Sequence, residues 1–74
     1  MKQQEILEAL EKGEEIVKIE RMIFKRNKLV RGSIIEYYLI DKTIKRNQFE
    51  KIEHLLTKVN PQQGAYTHYK LSNK

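Results

Sequence analysis

The chain has 74 residues, with fifteen Lys and Arg against ten Asp and Glu, a formal net charge of +5, no cysteine and no tryptophan. Without cysteine there is no disulfide framework, no Cys-based zinc site and no thiol chemistry, which suits a reducing, cytoplasmic setting. No apolar run approaches the ~20 residues that span a bilayer, and the opening Met1-Lys2-Gln3-Gln4-Glu5 turns acidic where a signal peptide needs an apolar stretch.

A hydrophobic share of 39% with three Gly and one Pro is the composition of a folded chain. Residues 1–74 read as a single small domain with a thin stability margin. Residues 3–12 fit a helix, because Ile6, Leu7 and Leu10 fall on one side and Gly13 is a natural stop. From Glu15 to Phe24 two periods compete. Val17, Ile19 and Ile23 alternate with Lys18, Glu20 and Met22 as in a strand, while Ile6, Leu10, Gly13, Val17 and Phe24 fit one long helical stripe. The strand is favoured, because glycine weakens a helix and the stretch is rich in β-branched residues.

Lys25-Arg26-Asn27-Lys28 reads as a turn, with Asn27 tolerant of positive φ. Ser33 to Asp41, with Ile34, Ile35, Tyr37, Tyr38, Leu39 and Ile40, is the clearest strand, apolar on both faces and hence central, and Gly32 marks a bulge or bend. Asp41-Lys42-Thr43 turns into a short strand around Ile44. A second helix follows, with Asn47 as N-cap and Glu50 three residues on in a capping-box spacing. Phe49, Ile52, Leu55, Leu56 and Val59 form its apolar stripe, and Asn60-Pro61 ends it. Gln62 to Gly64 is a loop, and Ala65 to Leu71 alternates as a last strand, expected at a sheet edge. The expected fold class is α+β, a small antiparallel sheet of three to four strands with two helices packed on it, in the order α-β-β-β-α-β.

Charge is sorted along the chain. Residues 1–20 hold three lysines against six glutamates, a net −3, and residues 21–74 hold twelve basic groups against four acids, a net +8. One basic cluster, Lys25, Arg26, Lys28 and Arg31, falls at the tip of the first predicted hairpin, with Asn27 able to reach a base edge. A two-stranded ribbon with a basic tip can enter a DNA groove or lie along phosphates. A second cluster, Lys42, Lys45 and Arg46, leads into the second predicted helix, whose first amides favour an anion. The stretch Thr43-Ile44-Lys45-Arg46-Asn47-Gln48-Phe49-Glu50-Lys51-Ile52 resembles the hairpin-then-helix end of small winged-helix excisionases of mobile elements, in which the hairpin is a wing that touches DNA. The resemblance covers about ten residues, and a β-rich segment stands where that family has its helix-turn-helix. What it implies is contact with nucleic acid, not family membership.

Tyr37, Tyr38, Tyr66 and Tyr69 on two predicted strands offer stacking rings, although neighbouring Tyr37 and Tyr38 must face opposite ways and core packing is the favoured role. Catalysis has little support. His54 and His68 are the two histidines, Ser33 and Ser72 have no histidine at a suggestive spacing, and Glu50 with His54 at i, i+4 supplies two metal ligands without a third. No enzyme, cofactor or metal site is expected. The expected function is a small basic nucleic-acid-binding protein, on DNA rather than RNA, such as a regulator or accessory factor of a phage or other mobile element. The alternative is a non-enzymatic interaction module, a small inhibitor or adaptor that binds an acidic protein surface. Both are compatible with a homodimer.

Overall fold

The computed structural model describes the backbone of residues 1–25 and 28–72, and the side chains of residues 1–22, 33–59 and 64–72. Helix α1 (Gln3–Glu11) buries Ile6, Ala9 and Leu10, the spacing of one helical face. Its first turn is held where the Lys2 amide donates to Glu5 Oε1 at 3.0 Å. Gly13 then ends it at φ 102°, a left-handed conformation that a side chain would strain. The chain continues as β1 (Ile16–Lys25), β2 (Lys28–Leu39), β3 (Lys42–Ile44), helix α2 (Arg46–Ile52), a 3₁₀ turn (Glu53–Leu55), β4 (Leu56–Gln63) and β5 (Tyr66–Leu71).

The strands form one antiparallel sheet of five in the order β3-β2-β1-β5-β4. The α+β class is as expected, but the sheet has five strands, not three to four. Ile16 to Lys25 is a strand, and no long helix runs through Gly13. At the bulge between Met22 and Ile23 the partner residue moves from Ser33 to Val30, so Arg31 and Gly32 lack partners across β1. β2 is interior but not central; β1 holds the middle. The turn into β3 lies at Ile40-Asp41 instead of Asp41 to Thr43, with Leu39 paired to Lys42.

The largest correction concerns the second helix. Its N-cap is Lys45, not Asn47, and the Lys45 amide donates to Gln48 Oε1 at 2.9 Å, so Gln48 takes the place expected of Glu50. The helix stops at Ile52, and Leu55, Leu56 and Val59 leave the expected stripe. Leu56 pairs with Leu71, and Val59 with His68. The periodicity misleads here because β5 has an open side that β4 can pair, and tertiary pairing outweighs local helix propensity. Pro61 is tolerated because β4 is an edge strand, and the residue before proline is as well suited to strand as to loop. β5 is therefore interior, correcting its expected place at the edge. Likewise α1 and the β1–β2 hairpin lie upstream of α2, where the excisionase likeness would have two helices.

Alternation puts Ile16, Tyr37, Leu39, Ile44 and Tyr69 on one face, where α1 and α2 add Ile6, Ala9, Leu10, Phe49 and Ile52 to form the core. Phe49 stacks on Tyr37 (centroids 4.3 Å apart, planes at 20°) and meets Tyr69 edge-on at 5.0 Å. Gln48 ties the helices together by donating to the Met1 carbonyl at 2.6 Å, and Gln3 donates back to the Gln48 carbonyl at 3.0 Å. β5 pairs with β1 only over Ile16–Ile19, and β3 pairs with β2 only over Tyr37–Leu39. Beyond Glu20, whose amide donates to the Ala65 carbonyl, the β1–β2 hairpin runs on as a two-stranded arm. The molecule is accordingly elongated, 43 × 27 × 21 Å.

Two stability predictions follow from this packing. Phe49→Ala should cost about 3–5 kcal/mol in denaturant unfolding, whereas Leu55→Ala, at a side chain 42% exposed, should cost less than about 1 kcal/mol. A helix running to Val59 would make the two comparable. Ile40 has φ 59° and is 59% exposed, so it carries left-handed strain without packing in return. Ile40→Asn should therefore raise stability by about 1 kcal/mol.

Candidate nucleic-acid interface

The β1 and β2 backbones place Lys25 opposite Lys28, with residues 26 and 27 between them in sequence. Arg26 and Asn27 lie outside the described residues, as do the side chains of Lys25, Lys28 and Arg31. What the backbone establishes is location. Lys25 stands six residues beyond Ile19, the last β1 residue paired with β5, so the arm reaches about 20 Å from the body.

The second cluster lies at the other end. β3 pairs with the end of β2 remote from the tip, and Lys28 is nine residues from Tyr37, so about 30 Å separates the clusters. They do not form one patch. Lys42, Lys45 and Arg46 are all exposed. Arg46 Nε lies 3.0 Å from Glu50 Oε1, one helical turn on. The Glu5 carboxyl is held below its ordinary value of 4.5 first by the Lys2 amide, with Lys42 among the lesser causes. Charge at this end is thus partly compensated by acids. α2 spans only seven residues, and its dipole adds little.

The tyrosines divide as their parity requires. Tyr37 and Tyr69 are core residues, and loss of solvation raises both hydroxyls above the ordinary value of 10.0. Tyr38 and Tyr66 face the opposite side of the sheet. Tyr66 is 49% exposed, while the Tyr38 hydroxyl donates to Glu36, which holds it above its ordinary value.

Groups with catalytic chemistry are scattered. His68 Nδ1 is 3.5 Å from Glu15 Oε1 on the open side of the sheet, and His54 lies in the 3₁₀ turn, outside the helix that carries Glu50. Ser72 Oγ donates to the Leu55 carbonyl and accepts from Thr57 Oγ1, a brace between β4 and the end of β5. Ser33 lines a wide hollow at the root of the arm with Glu20, Met22 and Ala65. Among the described residues, no three His, Asp or Glu side chains gather to hold a metal, and no helix is long and apolar enough to cross a membrane. Sequence reasoning missed the outward apolar positions Val17 and Ile19, although their alternation with Lys18 and Glu20 is the signal that reveals them.

The Glu36 contact predicts a measurable titration. Glu36→Ala should move the Tyr38 hydroxyl down toward its ordinary value of 10.0, read by NMR titration of the Tyr38 ring. An unchanged Tyr38 curve would contradict the contact. Comparison with known protein families, with curated proteins and with solved structures gives no match, so the functional reading rests on this geometry.

Proposed function

We propose that the chain is a small, non-enzymatic nucleic-acid-binding protein that engages its target through the β1–β2 arm. The observation that carries this reading is an arm standing clear of the body with Arg21, Lys25, Arg26, Lys28 and Arg31 in its sequence and no acid between Arg21 and Arg31. A two-stranded ribbon fits the major groove of B-DNA, about 12 Å wide, and that fit favours duplex DNA over RNA, whose major groove is deep and narrow. The arm is the primary contact, because the Lys42, Lys45 and Arg46 cluster is partly answered by Glu5 and Glu50. That second cluster can still meet a backbone about 30 Å away, close to one turn of duplex. A regulator or accessory factor acting in the cytoplasm is the role such a protein would suit.

A protein target is the second reading, favoured by the apolar residues that the sheet leaves facing outward, Ile34 at 50% exposure among them. Treatment with nuclease separates the two, because a protein complex survives it.

The test is retention of nuclease-treated protein on double- and single-stranded DNA at about 50 and about 300 mM salt. If the four tip cations each meet a phosphate, affinity should fall roughly 600-fold over that range. Lys25→Glu with Arg26→Glu should lower the salt slope by about 2 and leave the circular dichroism unchanged. Lys45→Glu with Arg46→Glu should have the smaller effect. Retention that ignores the arm variant would overturn the reading.

A further inference from the structure

The open face of the sheet carries aliphatic residues where a water-facing sheet is ordinarily polar. Strand registers place its residues in rows. Thr43, Tyr38, Val17, His68 and Val59 lie side by side from β3 to β4. Toward the arm follow Glu36, Ile19 and Tyr66, then Ile34 beside Arg21. Along β1 the ordinary polarity is inverted: Val17 and Ile19 alternate onto the open face, Lys18 and Glu20 onto the helix side. An antiparallel sheet with one solvated face puts polar residues on that face. Among the described residues both helices pack on the other side, so the pattern calls for an occupant.

Charge selects the occupant. The face carries both signs, Arg21 and Lys70 against Glu15 and Glu36. Arg21 Nε lies 3.8 Å from Glu36 Oε1, and Glu15 reaches His68. A face for nucleic acid would be predominantly basic. A face that sets aliphatic positions among balanced charges is instead complementary to a twofold copy of itself.

We propose that two copies of this chain pack open face to open face, burying Val17, Ile19, Ile34, Val59 and Tyr66 in an isologous interface. Rows of five, three and two positions make a face of roughly 330 Å² a side, about 650 Å² in the pair, the size of a weak interface. The dimer is therefore concentration-dependent. It leaves the arm tips and the Lys42 to Arg46 cluster outside, so each dimer carries two of each, and it stands whether or not the arm binds nucleic acid.

Sedimentation of the full chain over about 10 to 500 μM should show a monomer–dimer equilibrium, with a Tm that rises with concentration. Ile19→Lys should weaken dimerisation at least ~100-fold, because it sets an ammonium where aliphatic side chains would meet, while the helix-surface variant Glu11→Lys should not. If Ile19→Lys fails to fold, Val17→Thr with Val59→Thr keeps the β-branched shape and should still weaken the dimer about 10-fold. A monomer throughout the range overturns the proposal, as does a dimer that survives these open-face variants. A monomer whose tyrosine fluorescence is quenched by a single-stranded oligonucleotide, but not after Tyr66→Leu, overturns it in favour of nucleic acid on this face.

Discussion

The contact on which the rest depends is Phe49 seated between Tyr37 and Tyr69. Those tyrosines lie on β2 and β5, on either side of β1, so one ring from α2 bridges the three central strands. It stacks on one partner and meets the other edge-on, both favourable arrangements for rings with a quadrupole. At 2% exposure Phe49 is among the most buried side chains, in one core cluster with Ile6, Leu10, Ile16 and Leu39. With so few core residues, the domain cannot lose this ring and keep α2 on the sheet.

That constraint also sets how much of the sheet is covered. Helices of nine and seven residues are too short to shield strands of ten and twelve. They cover the base, where β1 meets β5 and β2 meets β3, and leave the arm and the opposite face bare. A two-stranded ribbon alone is marginal in water, so the arm depends on the braced base from which it springs. The bulge opposite Met22 adds twist where the ribbon leaves the body.

The legible parts of the sequence were those in which local pattern and tertiary need agree. Gly13 stops α1, the β-branched run of β1 outcompetes a long helix, and the parity of Tyr37 and Tyr38 sends one ring to each face. The second helix was misread because Phe49, Ile52, Leu55, Leu56 and Val59 satisfy a helical period while Leu56 and Val59 also satisfy a strand. Nothing local reveals that β5 needs a neighbour. The N-cap slipped for a related reason: Asn47 and Glu50 make a plausible box, but β3 ends at Ile44, and the helix begins at once with Gln48 in the bonding position. Of the candidate site, the arm was legible as a charge cluster between two strands, whereas the separation of the two clusters was not, since it depends on which end of β2 meets β3.

That separation matters electrostatically more than the net charge does. α1, with Glu5, Glu8 and Glu11, packs at the base, beside the same end of the sheet that carries Lys42 and Arg46. Acid and base offset each other there, and screening over about 8 to 10 Å in ordinary salt keeps that end from contributing to the field at the far tip. The arm's cations have no such acids near them in sequence. The excess positive charge is therefore displaced toward the arm, the end that the proposed function assigns to a polyanion. Low-dielectric ribbon behind the tip, rather than water, further concentrates the field outward. A chain of only +5 can in this way carry its excess charge in the sequence of the arm while acids offset the base, so the proposed phosphate contact and the proposed self-association face fall on different parts of the fold.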